Sequence, residues 1–97
     1  MDRRRLSDGE IREALSELPA WIRVDNSLRR ELTFSSFVDA FSFMTAAALV
    51  AESMNHHPEW TNVYNRVTIL LSTHDAGGIT GLDIALARKI EEIVARK

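Results

Sequence analysis

The three histidines of this chain are the residues whose chemistry is most informative. His56 and His57 are adjacent and stand directly before Pro58, and His74 follows further along the chain. Imidazole is the only side chain whose unperturbed pKa, about 6.5, lets it both give and accept a proton near neutral pH. Because no other histidine occurs in the 97 residues, this grouping predicts a site of proton transfer.

The neighbours of the histidines indicate how such a site could be assembled. Pro58 disfavours the α conformation at the residue before it, so a preceding helix must end by about His56. Glu52 lies one helical turn before His56, on the same side of that helix. His74 falls at the end of a later strand. The expected pocket collects residues from both segments, with a tryptophan at its edge: Glu52, His56, His57, His74 and Trp60.

A zinc site is the competing interpretation, because three imidazoles and a water form one kind of catalytic zinc centre. Adjacent histidines chelate a metal poorly from a regular element, so the sequence favours a site without metal. Three nearby residues also have a structural interpretation: Asn55 as a helix cap, Trp60 as a core aromatic and Asp83 as a capping acid. The chain has no cysteine, which excludes a thiol nucleophile and a disulfide.

Composition and charge are those of one ordinary globular domain, which we expect to span residues 1–97. Apolar residues make up 45% of the chain and charged residues 27%, with a formal net charge of −2. This charge gives no reason to expect nucleic acid as a partner, and we expect the Arg3-Arg4-Arg5 run to be a solvated arm. The most apolar stretch, residues 37–51, is shorter than the roughly 20 residues that span a bilayer. We therefore expect no membrane contact and a cytoplasmic location.

Capping residues, turn residues and hydrophobic periodicity predict the element order α-ββ-α-ββ-α. Ser7 and Glu10 form a capping box at the first helix, Ser36 caps the second helix and Thr80 the third. The expected spans are a helix to about residue 17, strands at 21–24 and 28–34, a helix over 37–54, strands at 61–64 and 66–73, and a helix over 81–95. Hairpins imply an antiparallel sheet. The predicted fold class is therefore α+β, a two-layer domain with helices packed on one face of a four-stranded antiparallel sheet.

The long second helix carries two neighbouring apolar stripes. The first contains Phe37, Phe41, Met44, Ala48 and Ala51, and the second, richer in alanine, contains Ala40, Phe43, Ala47, Val50 and Met54. At about 100° per residue the two stripes cover roughly half of the helix circumference, more than the usual single face. One stripe can pack on the sheet. The alanine-rich stripe then needs another surface, which is either a neighbouring helix or a second copy of the chain.

Several segments of the chain resemble the pterin-4a-carbinolamine dehydratase family. They are Phe41-Ser42-Phe43-Met44, Ala51-Glu52, His56-His57-Pro58-Glu59-Trp60-Thr61-Asn62-Val63-Tyr64-Asn65, Leu71-Ser72-Thr73-His74, and Gly78-Ile79-Thr80 with Asp83. The histidine–proline–tryptophan motif with the downstream Thr-His is the specific part, and the resemblance covers nearly the whole chain. It implies a four-stranded antiparallel sheet with helices on one face, assembled as a dimer or a dimer of dimers.

The resemblance also implies an activity, the dehydration of a 4a-hydroxytetrahydropterin to the quinonoid dihydropterin. This reaction recycles the cofactor of aromatic amino-acid hydroxylases, one of which is an expected partner. A proton leaves N5 and hydroxide leaves C4a, so the reaction needs a base and an acid but no metal and no cofactor beyond the pterin substrate. By this resemblance His56, His57 and His74 line the site, and Glu52 supports them.

The pterin itself is expected to contact a further set of residues by the same resemblance: Asn55, Trp60, Ser72, Thr73 and Asp75. Many family members have aspartate where this chain has Asn55. An amide cannot act as a charge partner to a histidine, although it can still form hydrogen bonds.

Two alternatives to this function remain open. The family includes members that bind a homeodomain transcription factor and stabilise its dimer, so the chain is alternatively a non-catalytic regulatory module. Such a role would depend on the alanine-rich stripe, with Phe43, Ala47 and Val50 as contacts. The other alternative is a dehydratase-like protein that acts on a different pterin, including the molybdenum-cofactor type.

Overall fold

The structure, a computed structural model, describes residues 3–96 of the chain. Its helices and strands follow the predicted order, with one short 3-10 turn before the last helix. Their bounds are α1 Asp8–Leu15, β1 Ile22–Val24, β2 Ser27–Thr33, α2 Phe37–Ser53, β3 Glu59–Val63, β4 Arg66–Leu71, the 3-10 turn His74–Ala76 and α3 Gly81–Ala95. No helix within residues 3–96 is both long and apolar enough to cross a membrane.

The four strands form one sheet in the order β1-β2-β4-β3, and every neighbouring pair is antiparallel. The two hairpins are therefore joined through their inner strands, with Leu28 opposite Leu71 and Leu32 opposite Val67. Asp25 in the first hairpin turn has a φ of 55°, a left-handed conformation that aspartate tolerates better than most residues. The predicted α+β fold with a four-stranded antiparallel sheet is confirmed.

The core lies between one face of the sheet and the helices. In β4 the side chains of Val67, Ile69 and Leu71 are at most 1% exposed, whereas the alternate residues of the strand are partly exposed. Neighbouring side chains in a strand point to opposite faces, so only one face of the sheet is covered. Helices α2 and α3 pack on that face and on each other, which makes the domain two layers thick.

The alanine-rich stripe of α2 is covered within the chain, which is one of the two alternatives that the sequence leaves open. The alanine-rich stripe is the buried one: Ala40, Phe43 and Ala47 are at most 1% exposed. Alanine side chains allow α2 to approach its neighbours closely, and the ring of Phe43 packs 5.1 Å from that of Phe34. The expectation that Phe43 and Ala47 form a binding surface is therefore wrong, whereas Val50 is half-buried. Apolar side chains on the outer face of α2 are exposed instead: Phe37, Val38, Phe41 and Leu49.

The strand that leads to His74 is shorter than predicted. It ends at Leu71 rather than at residue 73, and His74 is the first residue of the 3-10 turn. The reason is local pairing: the N–H of Thr73 donates to the Gly78 carbonyl at 2.8 Å, and the Gly78 N–H donates back at 3.3 Å. These two bonds close the turn, and Gly77 completes it with a φ of 71°, where glycine is favoured.

The N-terminal arginines are not a free arm. Arg5 pairs with Thr80 in an antiparallel bridge, and the Leu6 N–H donates to the Ile79 carbonyl at 2.8 Å. The arginine side chains are exposed, as expected for a solvated arm, but the backbone at Arg5 and Leu6 is paired with the rest of the domain. The backbone partner of the arm is segment 78–80, which follows the 3-10 turn. A run of three arginines does not by itself predict this pairing.

Candidate active site

The end of α2 positions the histidine pair. Asn55 has a φ of 50°, and its N–H donates to the Glu52 carbonyl at 3.0 Å, while the His56 N–H donates to the Ala51 carbonyl at 3.1 Å. This pair of hydrogen bonds around a residue in the left-handed conformation is a Schellman motif, which ends a helix and turns the chain away from the helix axis. Asparagine adopts this conformation at little cost. The predicted cap at Asn55 is confirmed, and it directs His56 into the interior.

His56 is buried and held by a carboxylate. Its side chain is 7% exposed, and Nε2 lies 2.6 Å from Oδ1 of Asp83, which is fully buried. A carboxylate can only accept a hydrogen bond, so Nε2 of His56 carries the proton and donates it. When the ring is neutral, the lone pair is therefore on Nδ1.

Asp83, whose sequence context predicts only a helix cap, has a second role. It does cap α3, since its Oδ2 accepts the Thr80 N–H at 2.9 Å. The same oxygen accepts the Thr73 hydroxyl at 2.9 Å, which leaves Oδ1 for His56. Thr80 Oγ1 lies 2.8 Å from Thr73 Oγ1, and since the Thr73 proton is used on Asp83, the Thr80 hydroxyl donates. The capping pattern was a sufficient explanation from sequence, and it concealed the contact with His56.

His57 points to solvent and pairs with the end of α2. Its Nε2 lies 2.7 Å from Oε1 of Glu52, and the two side chains are 58% and 77% exposed. Glu52 therefore supports His57 directly and not His56. The left-handed turn at Asn55 moves the chain off the helix axis, so the one-turn spacing from Glu52 to His56 no longer brings them together.

His74 reaches the site from the other side. It is exposed at the start of the 3-10 turn. Its side chain makes no hydrogen bond or ion pair within the part of the chain that the structure describes. The adjacent Asp75 carboxylate forms an ion pair with Arg3 at 3.1 Å.

The three histidines lie around one open cavity of about 480 Å³. It is lined by Arg3, Asn55, His56, His57, Pro58, Glu59, Ser72, Thr73, His74 and Asp75. The three histidines thus come together from the α2–β3 corner and the turn after β4, along with all but one of the residues expected to contact the pterin. Arg3 and Glu59 are lining residues that the sequence analysis missed. An arginine in an N-terminal run offers no signal of this, because its contact is made to a residue 72 positions away.

Glu52 does not line the cavity and is linked to it only through its contact with His57. Trp60 is the second predicted site residue that does not line it. It pairs with Ile69, a buried residue of the core face, and its partly buried ring packs against the hydrophobic core. Glu59 precedes it in β3, and neighbouring side chains in a strand point to opposite faces. Glu59 therefore takes the place at the cavity that was expected for Trp60.

The arrangement of histidine and carboxylate side chains is relevant to metal binding. Within residues 3–96, no three histidine, aspartate or glutamate side chains are grouped so that they could hold one metal ion. Two of the histidines have a ring nitrogen engaged by a carboxylate, at His56 and His57. Imidazoles that are hydrogen-bonded to carboxylates suit proton transfer.

Sequence comparison identifies relatives that share nearly the whole chain. The sequence model of the family described as Pterin 4 alpha carbinolamine dehydratase matches residues 4–93. A protein of Solibacter usitatus, provisionally named a pterin-4-alpha-carbinolamine dehydratase, is 58% identical over 91 residues, which are 94% of this chain and 96% of that protein. A protein of the same provisional name from Afipia carboxidovorans is 57% identical over 93 residues, covering 94% of this chain and 93% of that protein.

Structural comparison gives the same result. The crystal structure of a Brucella melitensis protein described as a transcriptional coactivator/pterin dehydratase matches with a TM-score of 0.89 and 48% identity, over 92% of this chain and 97% of that one. The fold, the length and the sequence therefore agree with one family. The chain belongs to the pterin-4a-carbinolamine dehydratase family, a family of carbon–oxygen lyases.

Proposed function

We propose that this protein dehydrates a 4a-hydroxytetrahydropterin to the quinonoid dihydropterin and so recycles a pterin cofactor. The observation that carries the proposal is the cavity in which three imidazoles meet, each with a different hydrogen-bonding environment. Family membership supports the reaction, and the cavity supports its chemistry. No cofactor other than the pterin itself is proposed.

The reaction needs two proton transfers at neighbouring atoms. A base takes the proton from N5, and an acid protonates the oxygen that leaves C4a, so that water departs and the N5=C4a double bond forms. Imidazoles can fill both roles near neutral pH. His56, His57 and His74 are the proposed catalytic residues, and Glu52 acts on His57 by its hydrogen bond.

Asp83 is proposed to position His56. Its carboxylate fixes the ring orientation and keeps the proton on Nε2. Thr73 and the Thr80 backbone N–H in turn fix the carboxylate. A general base that is held in one tautomer can act without first reorienting, which is how a buried carboxylate serves the histidine of hydrolase triads.

Pterin contacts are proposed for four of the lining residues: Asn55, Ser72, Thr73 and Asp75. The hydroxyl of Thr73 is already used within the Asp83 network, so Thr73 acts on the ligand through its backbone or through that network. Asn55 offers both a donor and an acceptor. Trp60, which packs against the core, is not retained as a pterin contact.

The test is a direct assay of the reaction. Enzymatically generated 4a-hydroxytetrahydropterin is added with and without the protein, and its ultraviolet absorbance is followed in the presence of a chelator. We expect the protein to accelerate the loss of the carbinolamine equally with and without chelator. An unchanged rate would contradict the proposed activity, and acceleration that the chelator abolishes would contradict a metal-free site.

We further propose that the protein is a cytoplasmic homo-oligomer, a dimer or a dimer of dimers, and that an aromatic amino-acid hydroxylase supplies its substrate. The outer face of α2 supports self-association, because it exposes four large apolar side chains: Phe37, Val38, Phe41 and Leu49. The rings of Phe37 and Phe41 lie 5.9 Å apart and form one patch. Exposed apolar patches of this kind are typical of interaction surfaces.

A regulatory role is the second candidate, favoured by the description of the Brucella melitensis protein as a transcriptional coactivator. The same outer face of α2 would be the contact surface for that role.

A paired experiment distinguishes the enzyme from the regulatory module. Loss of activity on changing His57 and His74 with unchanged partner binding supports the enzyme, whereas a protein that is inactive before any change supports the regulatory module.

A further inference from the structure

The N-terminal arm, residues 3–6, lies beside the His74 wall of the cavity. Its backbone continues a small ribbon, in which Thr73 pairs with Gly78, and segment 78–80 pairs with Arg5 and Leu6. The arm is therefore a strand laid against the loop that carries His74, at the entrance to α3.

Successive side chains of the arm point to opposite sides, as they do in an extended chain. Arg4 turns towards α1, where its guanidinium donates to both carboxylate oxygens of Glu10 at 3.0 and 2.9 Å. Arg3 and Arg5 turn towards the loop. The stem of Arg5 covers Gly78 so closely that a Cβ there would lie 3.2 Å from Arg5 Nε.

Arg3 reaches the cavity itself. Its Nη1 lies 3.1 Å from Oδ2 of Asp75, and Arg3 is one of the lining residues. Backbone pairing at Arg5 and Leu6 holds the arm in place, so the Arg3 guanidinium lies at the rim of the cavity. A ligand that enters on this side meets the Arg3 guanidinium, a hydrogen-bond donor, next to the Asp75 carboxylate, an acceptor.

We propose that Arg3 is a positioning residue for Asp75 at the wall of the active site. By pairing with Asp75, Arg3 holds the 3-10 turn and its carboxylate in the orientation that binds the ligand. The inference rests on the proposed function for its kinetic readout. It does not rest on the N-terminal arginines binding an anion, because Asp75 already neutralises Arg3, and Glu59 adds a further negative charge to the lining.

Kinetics of matched arm variants test the proposal. Exposed ion pairs change an equilibrium by up to about fivefold, so Arg3→Ala should raise KM about two- to fivefold while kcat stays within about twofold. Arg3→Lys keeps the charge but not the planar fork, and should recover part of the loss. Arg4→Ala removes the same charge from the same arm and should leave KM unchanged. In about 1 M salt, where screening is nearly complete at this distance, wild-type KM should approach that of Arg3→Ala.

A double-mutant cycle and a spectroscopic readout complete the test. Because Arg3 acts through Asp75, Arg3→Ala combined with Asp75→Asn should have the KM of Asp75→Asn alone. Independently of turnover, NMR signals of the His74 ring and the Asp75 amide should shift in Arg3→Ala and not in Arg4→Ala. Unmoved signals in Arg3→Ala would overturn the inference. If the wild-type protein lacks dehydratase activity, the proposed function fails, and the NMR comparison alone still decides the role of the arm.

Discussion

The three proposed catalytic histidines line one cavity but differ in their hydrogen bonds. His56 is bonded to Asp83 and His57 to Glu52. Changing each to alanine removes a proton donor or acceptor, so we expect kcat to fall by about two to four orders of magnitude for each change. Steady-state assays of the purified variants measure the loss. Full activity of the triple variant would contradict histidine catalysis.

The control for these variants is retention of the fold. His57 and His74 are exposed, so their replacement should leave the thermal unfolding midpoint unchanged. His56→Ala would leave the buried Asp83 oxygen without its donor, which is destabilising. His56→Gln, which can still donate to Asp83, is therefore the companion variant, and it should fold and remain inactive.

Asp83 is the residue-scale test of positioning. In Asp83→Asn the amide can turn its NH₂ group towards His56, which would move the ring proton from Nε2 to Nδ1. We expect kcat to fall by at least about 10²-fold, since the corresponding change in a hydrolase triad costs about 10⁴. Histidine ¹⁵N shifts report the tautomer directly.

A matched control exists at the start of α1. Glu10 occupies the same third helical position after its N-cap as Asp83 does in α3 and likewise completes a capping box, but it is exposed and its carboxylate pairs with Arg4. Glu10→Gln should therefore leave kcat unchanged. An equal loss of kcat in both variants would mean that capping, and not the contact with His56, explains the effect.

At the element scale, the end of α2 separates the backbone role of Asn55 from its side-chain role. Asn55→Ala forces a residue with a Cβ into the left-handed region, which costs about 1 kcal/mol or more relative to asparagine, so its unfolding midpoint should fall. Asn55→Gly removes the amide but suits that conformation, and it should keep the wild-type stability. If the amide binds the pterin, KM should rise in both variants. A normal KM in Asn55→Gly would show that Asn55 is only a cap.

The start of α1 carries a pH prediction. Hydrogen bonds from Arg4, and then from the Ser7 N–H, lower the pKa of Glu10 from 4.5 to about 2. A carboxyl whose pKa is depressed on folding adds stability above its unfolded pKa and loses that contribution as the pH falls through the folded value. We therefore expect the stability difference between wild type and Glu10→Gln to be constant above about pH 4.5 and to shrink between pH 4.5 and 2.

Native-state NMR titration and unfolding curves between pH 2 and 6 measure this effect. The Glu10 carboxyl signal should titrate near pH 2 in the wild type and at higher pH in Arg4→Ala, because the first cause of the shift is then removed. A wild-type midpoint near 4.5 would contradict the capping-box geometry at Ser7 and Glu10.

At the scale of the whole molecule, the exposed face of α2 predicts how copies of the chain associate. Phe41→Glu places a charge in the apolar patch, so a homo-oligomer that uses this face should dissociate to a smaller species. Ile22→Glu, on the open face of the sheet, is the control, since Ile22 and Phe41 are 54% and 56% exposed. Light scattering after size exclusion gives the masses. An unchanged mass for Phe41→Glu would exclude this face as the contact.

The fold was largely predictable because its signals are local. The capping box at Ser7, the cap at Asn55 and the alternation of β4 each depend on residues within one or two turns of each other. The choice between the two stripes of α2 was not predictable. Both stripes are apolar, and only the packing of α3 and the sheet decides which one is buried.

In the active site, too, local features were predictable and contacts between distant residues were not. The sequence alone was sufficient to predict a site with three imidazoles, the end of the helix before Pro58 and the family resemblance. Residue types and short-range stereochemistry determine each of these. Tertiary structure alone decided that Asp83 holds His56 from 27 positions away, that Arg3 and Glu59 line the cavity and Trp60 does not, and that Glu52 pairs with His57. The reason is physical: a contact between distant residues depends on strand register and helix packing, and neither is encoded by the residues that make the contact.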